Sequence, residues 1–458
     1  MTTPVYCETP DLVAEATRVA DSIGLTIVAE LTSDPLSAAA QRAAAGGLAA
    51  AICVHIPEPA HAISALAEAA YPGSRAEAAR ASTPGRLVLG AISNRDPQAF
   101  GLASDLGIVC VRDVAPVLSA LVLLSHGGER AFRASSRKLS TVDHLRLERF
   151  RSAAERGGER TSERGAGRLI SDGADGISFQ RGEGETIRLG HGLAVAQALR
   201  ALAAAESCTD SIVRSAPPGD AAATRDVLFG PPRLLSDPAS KAALAPFGLP
   251  MPQEELCSSP SRASSEAARI GFPVRISLAS PDLRVWDYPE LSADGVDNAA
   301  RVRDVYRQLV SAAQQLAPEA RVLGVTVTAT TLARALIRVS ARPAPHGRVL
   351  LHVGFSDPHG ATAKDAITTV LPASQVGIER ALSRLTGAQL LLGESVVERE
   401  RNLALLTQLF ASVSAFVDVY RNEVERLELH PVALLVGGGA ELREAAIEVT
   451  DAFMRELS

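Results

Sequence analysis

A chain of 458 residues has room for two or three domains with substantial cores. Hydrophobic residues make up 47% of it and aromatics only 4%, so those cores are built from Ala, Val, Leu and Ile, which suits parallel sheets covered by helices. A net charge of −6 with only three lysines (Lys138, Lys241, Lys364) excludes a global basic surface for nucleic acid, and five scattered cysteines without Cys-x-x-Cys or Cys/His spacing exclude a zinc site. The opening residues, MTTPVYCETPD, have no basic stretch with an apolar core behind it, and no uninterrupted apolar run reaches the length of a membrane span. The expectation is a cytoplasmic protein without membrane or nucleic-acid partners.

Residues 1–127 alternate short apolar runs with Ala/Leu helices. Strands are expected at 5–7, 26–31, 49–56, 86–92 and 108–111, and helices at 11–23, 36–45, 60–70, 97–106 and 114–124. Five β-α units predict a doubly wound parallel sheet of flavodoxin type, which takes its ligands beyond the carboxyl ends of the strands. The first loop there, Cys7-Glu8-Thr9-Pro10-Asp11, has no glycine to let a phosphate approach and two acids that repel one. His55, at the end of the third strand, reads as structural, and Ser93-Asn94-Arg95-Asp96-Pro97 as a loop with a helix start.

Residues 128–228 change character. Arg, Glu, Ser and Gly dominate 127–167, which reads as a solvated mixed-charge linker. Residues 176–190 predict a β-hairpin turning at 181–184, followed by a helix over 193–205 and a Pro/Gly-rich stretch over 215–232. Gly190-His191-Gly192 reads as a cap turn rather than a catalytic loop.

The last segment, 229–458, opens on the most informative stretch. Ser236, Asp237 and Pro238 start a helix that Gly248 ends, Leu249-Pro250-Met251-Pro252 is extended, and 254–257 is strand-like. A second capped helix closes at Gly271, and Phe272-Pro273 leads into a strand carrying Val274, Arg275, Ile276, Ser277 and Leu278. Further strands are expected at 324–328, 335–342, 349–355 and 432–436, with a helix over 440–454 after Gly437-Gly438-Gly439.

The order of Ser240-Lys241 in the first helix, Phe247-Gly248-Leu249-Pro250 with Pro252, and Ile270-Gly271-Phe272-Pro273-Val274 resembles the ATP-grasp part of the NDP-forming acyl-CoA synthetases. That family includes ADP-forming acetyl-CoA synthetase and, more distantly, the succinyl-CoA synthetase β chain. Residues 49–59, 86–92 and 102–124 likewise resemble the second flavodoxin-like domain of its fused members. The resemblance implies a fold of N-terminal flavodoxin-like sheet, linker, and C-terminal two-lobed ATP-grasp unit. It also implies CoA-binding and phospho-His domains, which have no counterpart here and are expected, if used, on a separate chain.

The resemblance further implies a lysine for the nucleotide phosphates and carboxylate and Asn ligands for magnesium, and those positions depart from the family. Ser277 stands where the lysine belongs, and Arg275, on the same sheet face, is the candidate replacement, with Lys241 the other nearby cation. The His-Lys-Ser/Thr-Asp-x-Gly-Gly run reads Arg284-Val285-Trp286-Asp287-Tyr288-Pro289-Glu290-Leu291, and Ala361 falls near a metal-binding Glu. Leu-Asp-Ile-Asn-Pro becomes Leu427-Glu428-Leu429-His430-Pro431, leaving Glu428 and His430 as the candidate metal ligands. The expectation is a pseudoenzyme: a degenerate homologue acting in binding, regulation or assembly with a protein partner (itself or another chain), no catalytic residue, and at most weak binding of ATP or ADP with magnesium. The alternative is the ATP-grasp subunit of an ADP-forming acid–CoA ligase working with substituted residues.

Overall fold

A computed structural model describes residues 3–44, 48–54, 87–91, 108–126, 168–171, 176–181, 185–191, short stretches between 193 and 215, then 222–344, 348–356 and 362–452. Its contacts divide the chain into one unit of residues 1–212 with 344–346 and another of 213–343 with 347–458. The expected helices over 60–70 and 97–106, His55, the 93–97 loop, the linker core, the 357–361 turn and the Pro/Gly-rich stretch before Ala222 lie outside the described residues.

The first unit is built on β1 (Thr3–Cys7), α1 (Pro10–Ile23), β2 (Ile27–Leu31), α2 (Pro35–Ala44), β3 (Ala49–Cys53), β4 (Leu87–Ala91), β5 (Val109–Val111) and α3 (Val114–His126). All strand pairs are parallel, in the order β2-β1-β3-β4-β5, the doubly wound arrangement that the β-α alternation predicts. Central β3 is buried along its whole length, so its five residues are all small or apolar. Thr9 caps α1 by accepting from the Leu12 amide, and Gly24 ends the helix at φ 70°. Glu8 accepts the Val54 amide with its carboxylate, tying the end of β1 to that of β3. One acid of the glycine-free loop thus has a structural task.

The hairpin and the residues after it correct the linker reading. β6 (Arg168–Ser171), β7 (Gly176–Arg181) and β8 (Glu185–His191) form an antiparallel sheet, and Ser119 Oγ of α3 donates to the Leu189 carbonyl at 2.7 Å. Leu189, Val195, Ala198 and Leu202 share one core with Val5, Val117 and Leu121. The reason lies in α3, where Val117, Leu118, Ala120, Leu121, Val122 and Leu123 are all buried. A helix apolar all round must be covered on more than its sheet side, and β8 with the segment after it supplies that cover.

The second unit begins with α4 (Ala222–Leu228), β9 (Arg233–Leu234), α5 (Asp237–Leu244), β10 (Glu254–Cys257), α6 (Pro260–Ile270), β11 (Val274–Ala279), β12 (Ser292–Val296), α7 (Ala299–Leu316) and β13 (Gly324–Ala329). It continues with β14 (Ala333–Ala344), β15 (Arg348–Ser356), β16 (Thr362–Leu371), α8 (Gln375–Leu382), α9 (Ala388–Leu392), α10 (Val396–Val419), β17 (Val424–Leu435), β18 (Ala440–Leu442) and β19 (Ala445–Val449). A small antiparallel sheet, β10-β13-β11-β12, packs on α6 and α7 through Ala263, Ala267, Val302, Val305 and Leu309. A larger sheet runs β16-β15-β14-β17-β19-β9, with β18 also paired to β17. α10 is long and apolar enough by composition to cross a membrane, but it is the core helix here: Leu406, Phe410, Val413, Phe416 and Val417 are buried, and Phe416 meets Phe247 edge-on at 5.2 Å.

The chain's last stretch differs from expectation. Residues 440–449 are strands β18 and β19, both antiparallel to β17, rather than a helix. Gly437–Gly439 is the hairpin turn before them, with Gly438 and Gly439 at φ 95° and 90°. The Ala-rich 444–447 run favours helix locally, but β17 offers ladder partners on that side, and pairing overrides propensity.

If β8 belongs to the first unit's core, Leu189→Ala leaves a cavity against α3 and costs about 2–4 kcal/mol there. Amide hydrogen exchange on the full chain should then show faster exchange in β1 and β3 and unchanged exchange in β14 and β17.

Candidate functional site

The expected site residues lie where the small sheet faces the large one in the second unit. Lys241, on α5, is the most buried cation of the group at 5% exposure. Its Nζ donates to Asp237 Oδ2 at 2.9 Å, Glu254 Oε2 at 2.6 Å and the Arg443 carbonyl at 2.7 Å, which uses all three ammonium protons. Lys241 is therefore a buried, fully bonded ammonium rather than a surface side chain. Burial works against this ammonium, but Asp237, Glu254 and Glu444 together outweigh it and hold Lys241 above the usual lysine range. Burial and then Glu444 push the Asp237 carboxyl upward, against the pull of Lys241.

Arg275, on β11, is also engaged. It donates through Nη1 to Asp294 on β12 at 2.8 Å and through Nη2 to Glu444 at 3.2 Å, the latter almost wholly buried. Ser277, two residues on, is 3% exposed within the small sheet, flanked in register by Thr326 and Ser292. Ser277 and Arg275 share a sheet face, but only Arg275 reaches across to the other sheet.

Arg443 and Glu444, which link β18 to β19, and Ala445, the first residue of β19, bring the group together. The Arg443 carbonyl takes Lys241, the Glu444 side chain takes Arg275, and the Ala445 amide donates to Asp237 Oδ1 at 2.7 Å. The Glu444 carbonyl also accepts the His430 amide at 3.0 Å. Lys241 and Arg275 are thus joined through a segment some two hundred positions from Lys241, and Arg443 leans on Glu441 at 3.6 Å. Glu444, Asp237 and Glu254 have no motif in the sequence; only the burial of a cation shows that they are needed.

Glu428 and His430 lie two apart on β17, on the face opposite its buried Leu427 and Leu429. Glu428 is ion-paired with Arg284 at 3.3 Å and Arg426 at 3.6 Å. His430 Nε2 lies 2.8 Å from Ser356 Oγ on β15, and its ring packs against Trp286 with centroids 5.4 Å apart. Burial, and then Arg338, push the His430 imidazole down to about 4, so it is neutral at physiological pH. Trp286 and Arg284 come from one short stretch, and they contact His430 and Glu428 of β17.

Magnesium with a triphosphate does not fit the donors gathered here. One carboxylate of the expected pair is taken by two guanidiniums, the imidazole by a serine, and no group of three or more His, Cys, Asp or Glu gathers as metal donors among the described residues. The buried thiols are equally unreactive: burial raises Cys7 and Cys257 to about 11 and Cys53 to about 12.

Residues 226–449 match the family model described as ATP-grasp domain. The chain is 22% identical over 211 residues to 4-hydroxybutyrate–CoA ligase (ADP-forming) of Nitrosopumilus maritimus, a match covering 45% of this chain and 29% of that protein. It is 20% identical over 209 residues to the β subunit of acetate–CoA ligase (ADP-forming) II of Pyrococcus furiosus, covering 45% of this chain and 88% of the subunit. Among solved structures, acetyl-coenzyme A synthetase 1 of Ca. Korarchaeum cryptofilum aligns over 47% of this chain and 93% of its own, at 20% identity and a TM-score of 0.41.

Two outcomes follow from the ion pairs. Lys241→Met strands two buried carboxylates and should cost about 3–5 kcal/mol in denaturant unfolding. Trp286, the chain's one tryptophan, reports that transition by fluorescence. His430 binds its proton more weakly folded than unfolded, so its contribution is present at neutral pH and is lost as pH falls from about 6.5 toward 4. Allowing for its partial solvent contact, wild type should lose about 2 kcal/mol more than His430→Gln between pH 7 and pH 4.5.

Proposed function

From residues 226–449 as an ATP-grasp domain related to those of ADP-forming acyl-CoA ligases, we propose that the chain acts as a non-catalytic binding, regulatory or assembly protein of such a system. The observation that carries this reading is the internal neutralisation of the cleft cations. Lys241 is paired with Asp237 and Glu254, Arg275 with Asp294 and Glu444, and Arg443 with Glu441, so these cations have their counter-charges before any ligand arrives. A triphosphate entering there has to displace those carboxylates in a partly desolvated setting, where like charges repel strongly. The lysine that the resemblance expects on β11 is Ser277, buried in the sheet.

The second reading, a working ATP-grasp subunit paired with a separate chain, draws support from the match covering 88% of a β subunit. It requires Arg275 to leave Glu444 and Asp294 when nucleotide binds, and a new carboxylate for the metal. Either reading gives the chain a protein partner, since the named relative is one subunit of a larger ligase.

Isothermal calorimetry separates them. The full chain should give no magnesium-dependent heat with ATP, ADP or CoA at about 1 mM, a concentration at which a binding free energy near −4 kcal/mol would register. Glu444→Gln should raise nucleotide affinity by freeing Arg275. Micromolar, magnesium-dependent ATP binding by the unaltered chain would overturn the proposal in favour of the catalytic subunit.

A further inference from the structure

Away from the cleft, the second unit presents large aliphatic side chains to solvent. Leu332 is 78% exposed, Val397 76%, Val396 73%, Val436 61% and Leu390 60%. They are neighbours in space. The Val436 amide donates to the Leu332 carbonyl at 3.1 Å, joining the start of β14 to the end of β17. Arg334, two residues after Leu332, donates to the Leu390 carbonyl at 2.7 Å and the Leu391 carbonyl at 2.9 Å. Arg401 lies over the glycine turn that follows Val436, its guanidinium 3.5 Å from where a Cβ on Gly438 would stand. Val397 sits one helical turn before Arg401 on α10. Soluble monomers rarely leave contiguous apolar patches beyond a few hundred Å² open to water.

Charge within the patch distinguishes between occupants. A patch of one sign selects a partner of the other sign. This one carries both signs in a set order along the first turns of α10. Val396 and Glu400 form one ridge at i, i+4 spacing, and Val397 and Arg401 form the ridge beside it. Two copies related by a two-fold axis, with these turns antiparallel, set each copy's Glu400 beside the other's Arg401 and pack valines against valines. An isologous contact needs that self-complementarity, because every residue on one side meets the mate of its own mate.

We propose that the face formed by Leu332, Leu390, Val396, Val397 and Val436, with Glu400 and Arg401, is a two-fold interface with a second copy of this chain. It does not depend on what the cleft binds.

Sedimentation velocity of the full chain, from low to high micromolar concentration, tests it. The expected result is a concentration-dependent dimer, and a monomer at the same concentrations for Val397→Asp and for Leu332→Asp, with unchanged circular dichroism confirming that both are folded. Arg401→Glu and Glu400→Arg should each weaken the dimer at least tenfold. The double exchange Glu400→Arg/Arg401→Glu should restore it, because it swaps the charges on both sides of the axis at once. A wild-type chain monomeric throughout, a dimer insensitive to Val397→Asp and Leu332→Asp, or a double exchange that does not restore association would overturn it.

Discussion

A lysine buried to 5% exposure fixes the arrangement of the second unit. Taking an ammonium out of solvent costs several kcal/mol even after the protein relaxes, and only close anions and fully used donors offset that cost. Lys241 meets both conditions through Asp237, Glu254 and the Arg443 carbonyl. Those three partners come from α5, β10 and the link between β18 and β19, so satisfying one charge ties the start of the unit to its end. Arg275 repeats the arrangement one layer away, with Glu444 as the shared anion. The residues that would meet phosphates in a nucleotide-binding cleft are thus part of what holds this unit together.

That double use bears on activity. In an ATP-grasp enzyme the cleft needs cations whose counter-charge arrives with the substrate. Here the counter-charges are built in, and loosening them exposes buried carboxylates. The stretch from Arg284 to Tyr288 reinforces the effect, since Trp286 and Arg284 occupy the surface over β17 with contacts to His430 and Glu428. Neutral His430, bonded to Ser356, brings no charge to that surface. Outside the cleft, exposed apolar residues stand around the first turns of α10.

Much of this molecule was legible in its sequence, and the limits fall along physical lines. The β-α alternation gave the parallel sheet and its order, because parallel crossovers leave few topologies open. Caps and breakers at Ser236, Gly248 and Gly271 marked helix ends, since those residues act on backbone within a few positions of themselves. The stretches around Ser277, Glu428 and His430 read as strands, and they are strands β11 and β17.

Tertiary structure decided what depends on distance along the chain. Residues 185–202 pack on the first sheet because α3 is apolar all round, which composition averaged over a hundred residues conceals. Residues 440–449 are strands because β17 stands ready to pair, which local Ala-rich propensity cannot register. The partners of Lys241 and Arg275 lie too far away in sequence for spacing to associate them: Glu444 is 169 positions from Arg275. Backbone preferences act over a few residues and can be read from the sequence directly. Burial and Coulomb energy depend on separation in space, so the fate of each cleft cation was set only when the chain closed around it.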